Sequence, residues 1–229
     1  NFFTNRIARN QVAINPGTWI TQFIPLTQSL ATTKKTAFLS GMLDTIKSLA
    51  KNDGFAEKSA FLSARQPSDF LTKGVVDKIG DTLSAPMRWV DNFTSNVVTR
   101  SKYAEGIKRG LSPEKAMKQA DEYAAALMAD RSLGGMPTLY NQRNPLMRIA
   151  TQFQLEVNNQ LQFIFKDLPR EYLKDGANVK NITAYVSALG QIALYGWLYN
   201  QAYEKLTGRR PALDAIGTAF KIGKTVNNK

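Results

Sequence analysis

Apolar side chains return at steps of three and four residues along almost the whole chain, and no run alternates strictly between apolar and polar as a strand would. That spacing lines apolar groups along one side of successive helices. It predicts an all-α fold: an elongated multi-helix bundle with long kinked helices and one uncharged helix near the C-terminus. With 229 residues, 43% hydrophobic and 21% charged, the chain has the material for one or two packed cores. No initiator Met precedes NFFTNRIARN, which already has the pattern of a helix interior, so we expect a part of a longer polypeptide. Arg6 and Arg9 interrupt the N-terminal apolar residues, which therefore lack the continuous core of a secretory signal.

Punctuation residues divide the pattern. After Asn15-Pro16-Gly17, a helix is expected from about 18 to 50, anchored by Trp19, Phe23, Leu26, Leu30, Phe38, Met42 and Ile46 and kinked at Pro25. Asn52 to Phe55 reads as a turn and Arg65 to Phe70 as a second break. The next helix, about 68 to 109, carries Val76, Ile79, Leu83, Met87, Val90, Thr94, Val97, Ser101 and Ala104 on one stripe, and Pro86 bends or splits it. Gly110-Leu111-Ser112-Pro113 is the sharpest boundary: Gly after one helix, then a Ser N-cap, Pro in the first turn and Glu114 beside the positive end of the dipole. Three regions result: an N-terminal helical segment (1–64), a long kinked helix (65–110), and a C-terminal helical region (111–229) with a candidate membrane-interacting helix at 181–206.

In the C-terminal region, Ala116, Met117, Ala120, Ala124, Leu127 and Met128 share one helix face whose small residues admit a close neighbour. Asn144 and Pro145 open a helix striped by Leu146, Ile149, Phe153, Val157, Leu161, Ile164 and Leu168. Its remaining surface is rich in amides: Gln152, Gln154, Asn158, Asn159, Gln160 and Gln162. Amides bond to one another, to backbone and to water without a counter-ion. They suit either a solvated surface or a helix-helix or pore-lining face.

From Asn181 to Tyr203 there is no charged side chain. The run is long enough to cross a bilayer, which takes about 20 predominantly apolar residues. Thr183, Ser187 and Gln191 lie on one stripe, however, and need other helices or water beside them. Three readings stay open: a bundled span, which we prefer, a core helix, and a helix lying on a surface. In the first, Tyr185, Leu189, Leu194, Tyr195, Trp197, Leu198, Tyr199 and Tyr203 meet the membrane, and Gln191 joins the helix-helix or pore-lining set. Lys205, Arg209, Arg210, Lys221 and Lys224 are the candidate contacts to anionic lipid or DNA phosphate.

Thirty Lys and Arg against eighteen Asp and Glu leave a net charge of +12, which favours polyanionic partners. Spread along the chain, the cations fit a broad contact better than a base-reading groove. Cys and His are both absent, which removes disulfides, thiolate and imidazole metal sites, and every Ser-His or Cys-His nucleophile pair. Gly217 to Thr225 resembles a phosphate-binding loop but has five residues, not four, before Gly-Lys and no preceding strand. The carboxylates Asp121, Glu122, Asp130, Glu156, Asp167, Glu171 and Asp175 show no pairing by spacing and read as solvated helix faces. Asn92-Phe93-Thr94 and Asn181-Ile182-Thr183 match the glycosylation acceptor pattern, which is common by chance. We expect no enzyme, no metal and no cofactor.

Four stretches, taken in order, carry a resemblance: RSKYAEGIKRGLSPEKAMKQADEYAAALMADRS, NPLMRIATQFQLEVNNQLQFIFKDLPRE, the uncharged run, and LTGRRPALDAI. Together they resemble the C-terminal region of the large polyvalent proteins of tailed bacteriophages, which overlap with internal virion or ejection proteins. NRIARNQVAINPGTWITQFIPL is similar to the part that precedes it in such proteins, so the resemblance covers most of the chain. It implies a protein carried in the virion, delivered with the genome and found in the host cell envelope after infection. This part would be helical and non-catalytic, a homo-oligomer with other virion proteins, DNA and the host cytoplasmic membrane as partners. The alternative is an internal structural protein that stays folded and holds packaged DNA or neighbouring capsid or tail proteins.

Overall fold

The computed structural model of the chain describes residues 23–65, 75–128 and 160–208. Among these residues all regular structure is helical, so the chain is all-α. In chain order the helices are α1 (Ile24–Thr32), α2 (Lys35–Ala50), α3 (Phe55–Lys58), α4 (Ala60–Arg65), α5 (Val75–Lys108), α6 (Pro113–Leu127), a π turn (Phe163–Asp167), α7 (Leu168–Leu173) and α8 (Val179–Thr207).

The helix expected over 18 to 50 is interrupted at a place other than Pro25. Pro25 sits in the first turn of α1, where a missing N–H breaks no helical bond. The interruption falls at Thr33 and Lys34, both extended. There the hydroxyls of Thr32 and Thr33 donate to the carbonyls of Gln28 and Ser29 at 2.8 and 2.7 Å. Two adjacent β-branched residues bonding back to the preceding turn are a poor continuation of a helix.

The turn at 52–55 is as the sequence indicates, with Gly54 left-handed at φ 68°. Asp53 anchors it: its carboxylate accepts from the Phe55 amide at 3.1 Å and from both terminal nitrogens of Arg100 at 2.7 and 2.9 Å. The guanidinium also lies 4.2 Å from the Phe55 ring centre. Its hydrogen bonds hold the Asp53 carboxyl at about 2, below the ordinary 3.8, against an opposing desolvation. Because the folded value is the depressed one, this contribution is complete above 3.8 and disappears as pH falls through about 2. Urea midpoints compared across that window should therefore fall less steeply for Asp53→Asn than for the parent. The effect should be modest, because the Asp53 side chain is 43% exposed.

Ser59 caps α4, its hydroxyl accepting from the Leu62 amide at 3.0 Å while donating to Asp121 at 2.6 Å. Asp121 also accepts from the Ala60 amide at 2.9 Å. Helix α5 runs unbroken for 34 residues with Pro86 inside it, so Pro86 does not split it. Val90, Thr94, Val97 and Ser101 are buried along its expected stripe. Gly110, at φ 84°, and Ser112, whose side chain accepts from the Lys115 amide, form the expected α5–α6 boundary. Farther on, the Leu168 amide reaches back to the Phe163 carbonyl, the five-residue step of a π turn, immediately before Pro169, which has no N–H to offer.

One core joins these pieces. Ala31 of α1, Leu62 of α4, Val98 of α5, Tyr123 and Leu127 of α6, Phe163, Leu168, and Ala188 and Ile192 of α8 pack together. Helix α2 lies against α5 and α8 against α1.

Candidate interaction surface

Helix α8 is built to be long and straightforward to start and stop. Asn178 caps it by accepting from the Asn181 amide at 2.9 Å, Asn181 in turn donates to the Gly176 carbonyl at 2.7 Å, and Gly208 ends it in the left-handed region at φ 67°. One side faces the protein: Ala188, Ile192, Gly196 and Tyr203 are buried, with Tyr185, Leu189 and Tyr195 packed partly against the core. The other side is exposed and carries Val179, Ile182, Val186, Leu194, Trp197 and Leu198 among Thr183, Ser187 and Gln201, with Trp197 56% accessible. Large apolar side chains on both sides of a helix are normally enclosed on both. Among the described residues only one side is enclosed.

This arrangement divides the residues expected to meet a membrane. Leu194, Trp197 and Leu198 face outward. Tyr185, Leu189, Tyr195 and Tyr199 are half-buried, and Tyr203 is buried. With one side of α8 packed against the core, residues spread round its full turn cannot all face the same medium, a constraint that absence of charge alone does not reveal. Burial raises the hydroxyl pKa of Tyr199, whose Oη is enclosed with no hydrogen-bond partner among the described residues. Among the described residues no helix is long and apolar enough to cross a membrane. The preferred reading of 181–206 as a span is thus replaced by a helix with one face in the core.

Gln191 meets its hydrogen-bonding needs inside the chain. Its Oε1 accepts from Lys35 Nζ at 2.7 Å and its Nε2 donates to Ser187 Oγ at 3.2 Å. Lys35 also donates to the Leu30 carbonyl and lies 5.4 Å from the Tyr195 ring centre, tying the start of α2 to the middle of α8. Desolvation lowers the Lys35 pKa. Gln191→Leu is expected to reduce stability by about 1 kcal/mol, since one charge-assisted bond at a mostly exposed site is lost. A melting temperature unchanged in that variant would show the tie to be energetically idle.

Lys205 lies exposed in the last turn of α8, and Gln162 is exposed beside the π turn. Gln152, Gln154, Asn158, Asn159, Arg209, Arg210, Lys221 and Lys224 fall outside the described residues.

Beneath this surface is a charged junction that the sequence reading missed. Lys102, 2% exposed, donates to Glu171 at 2.6 Å and lies 3.3 Å from Glu105, which Arg109 meets at 2.8 Å. Its ammonium also sits 4.7 Å from the Tyr123 ring centre, and the Tyr123 hydroxyl shares a 2.5 Å hydrogen bond with Thr32. Glu171 and Asp121, expected on solvated faces, are therefore structural partners of groups far away in the chain. Among the described residues no cluster of three His, Cys, Asp or Glu could hold a metal ion. No known protein family, curated protein or solved structure matches the chain.

Proposed function

We propose that this chain is the helical, non-catalytic part of a bacteriophage virion protein delivered with the genome, an elongated bundle with long kinked helices that oligomerises and helps DNA cross the host envelope. The observation that carries this reading is the row of exposed large apolar side chains on α8, uncovered by the other described residues, in a chain of net charge +12. An uncharged face lets like-charged copies meet without direct repulsion, while cations elsewhere meet lipid phosphate or DNA. Leu194, Trp197 and Leu198 would meet a neighbouring copy or lipid, and Lys205, with Arg209 and Arg210 after it, the headgroups. The amides Gln152, Gln154, Asn158, Asn159 and Gln162 would line the passage or join subunits. Uncharged donors and acceptors hydrate a moving polyanion without gripping it as a ring of lysines would. Adding the purified, assembled protein to dye-loaded liposomes containing anionic lipid at low salt should release the dye. Absence of both binding and leakage would remove the proposal.

A second reading is favoured by the exposed Lys108, Lys115 and Lys118 around the α5–α6 connection. The protein would then stay folded in the particle and hold packaged DNA through phosphates. Binding of that kind weakens steeply as salt rises and is nearly indifferent to base sequence. A salt-independent affinity would contradict it.

A further inference from the structure

Helix α2 turns four of its large aliphatic residues outward. Leu39, Leu43, Ile46 and Leu49, at steps of four, three and three, are 51%, 52%, 49% and 56% exposed. The side turned to α5 carries Ala37, Phe38, Gly41 and Thr45. A surface helix ordinarily shows the opposite distribution. The cause is the approach of the two backbones: a Cβ on Gly41 would lie 2.5 Å from the Ser101 amide nitrogen. Only the side bearing Gly41 can lie that close to α5, so close packing sends the leucines outward. This also corrects the expectation that Ile46 anchors the interior.

The charges around that stripe select its partner. Lys34 and Lys35 stand at one end of α2 and Lys47 and Lys51 at the other, against a single acid, Asp44, which lies 3.7 Å from Lys47. A second copy on the same face would bring four more lysines to it. An anionic surface would be complementary. The helix has 16 residues, or about 24 Å at 1.5 Å per residue, short of the ~30 Å hydrocarbon layer. It therefore fits the plane of the interface, with its lysine stems reaching outward to the headgroups.

We propose that α2 docks flat on an anionic bilayer, Leu39, Leu43, Ile46 and Leu49 entering the acyl boundary while Lys34, Lys47 and Lys51 meet lipid phosphates. This rests on the proposed function in placing the protein at a bilayer, but on a different helix from α8. The test is flotation of the full chain with phosphatidylcholine vesicles, with and without phosphatidylglycerol. The parent should float with the anionic vesicles. Leu43→Gln with Ile46→Gln should weaken that binding at least tenfold, and Lys47→Gln with Lys51→Gln should reduce the preference for phosphatidylglycerol. Both pairs are exposed, so helicity and melting temperature should be retained. If the parent floats and releases dye while both variants behave like it, the α2 inference fails and the proposed function stands. If the parent does not float, both fail. If Leu43→Gln with Ile46→Gln lowers the oligomeric mass in sedimentation and leaves flotation unchanged, the face is an interface between copies and the inference is overturned.

Discussion

Lys102→Met is expected to destabilise the fold by about 3 kcal/mol, at the lower end of the 3–5 kcal/mol typical of breaking a buried ion pair. Little of the cost comes from the lost attraction, which the desolvation of Lys102 and Glu105 largely offsets. It arises because Glu105, with a side chain only 3% exposed, keeps its charge with one partner fewer, and Glu171 loses the group that holds α7 to α5. Two features moderate it: Arg109 remains 2.8 Å from Glu105, and Glu171 is 33% exposed and partly solvated. If the orphaned charge is the cause, the combination of Lys102→Met with Glu105→Gln and Glu171→Gln should recover much of the loss. Urea denaturation of the three-residue variant beside the single one decides this. A single-variant loss below about 1 kcal/mol, or a triple variant no better than the single, would refute the account.

Local chemistry was legible in the sequence and long-range geometry was not. The α5–α6 boundary could be read because Gly110, Ser112, Pro113 and Glu114 each act within a turn of their own position. Pro25 misled because a proline signal does not say whether it interrupts a helix or begins one, and here it lies in the first turn. The carboxylates misled for a different reason. Asp121 bonds to Ser59, 62 positions away, and Glu171 to Lys102, 69 positions away, so no local spacing could pair them. Within α8 the lack of charge from Asn181 to Tyr203 was plain, but which side is enclosed depends on α1 and the core around Leu127. Periodicity also favours large apolar residues as anchors. Contact between α2 and α5 depends instead on the smallest residue present.

Gly41 tests that dependence. Gly41→Leu is expected to cost about 3 kcal/mol or more, above the middle of the range for overpacked sites. The new Cβ alone would lie 2.5 Å from the amide nitrogen and the Oγ of Ser101 and 2.8 Å from its Cα. Two of those three atoms are backbone within α5, so they yield only if the helices separate. Separation would loosen the burial of Phe38, Thr45 and Val97 along the same seam. Gly41→Ala should cost less, since the overlap is opposed by a gain of up to ~1 kcal/mol in helix propensity. Adding Ser101→Gly to it should recover only part of the loss, because the hydroxyl goes and the backbone stays. Gly190 supplies the control. It lies exposed inside α8 with no described residue within 4 Å of an added Cβ, so Gly190→Ala should stabilise by about 0.5 to 1 kcal/mol. Opposite signs for the two glycines, read as shifts in melting temperature, would establish that the contact rather than the residue type is responsible. If Gly41→Ala also stabilises, α2 and α5 do not approach as closely as described. The outward leucines of α2 would then lose their packing cause.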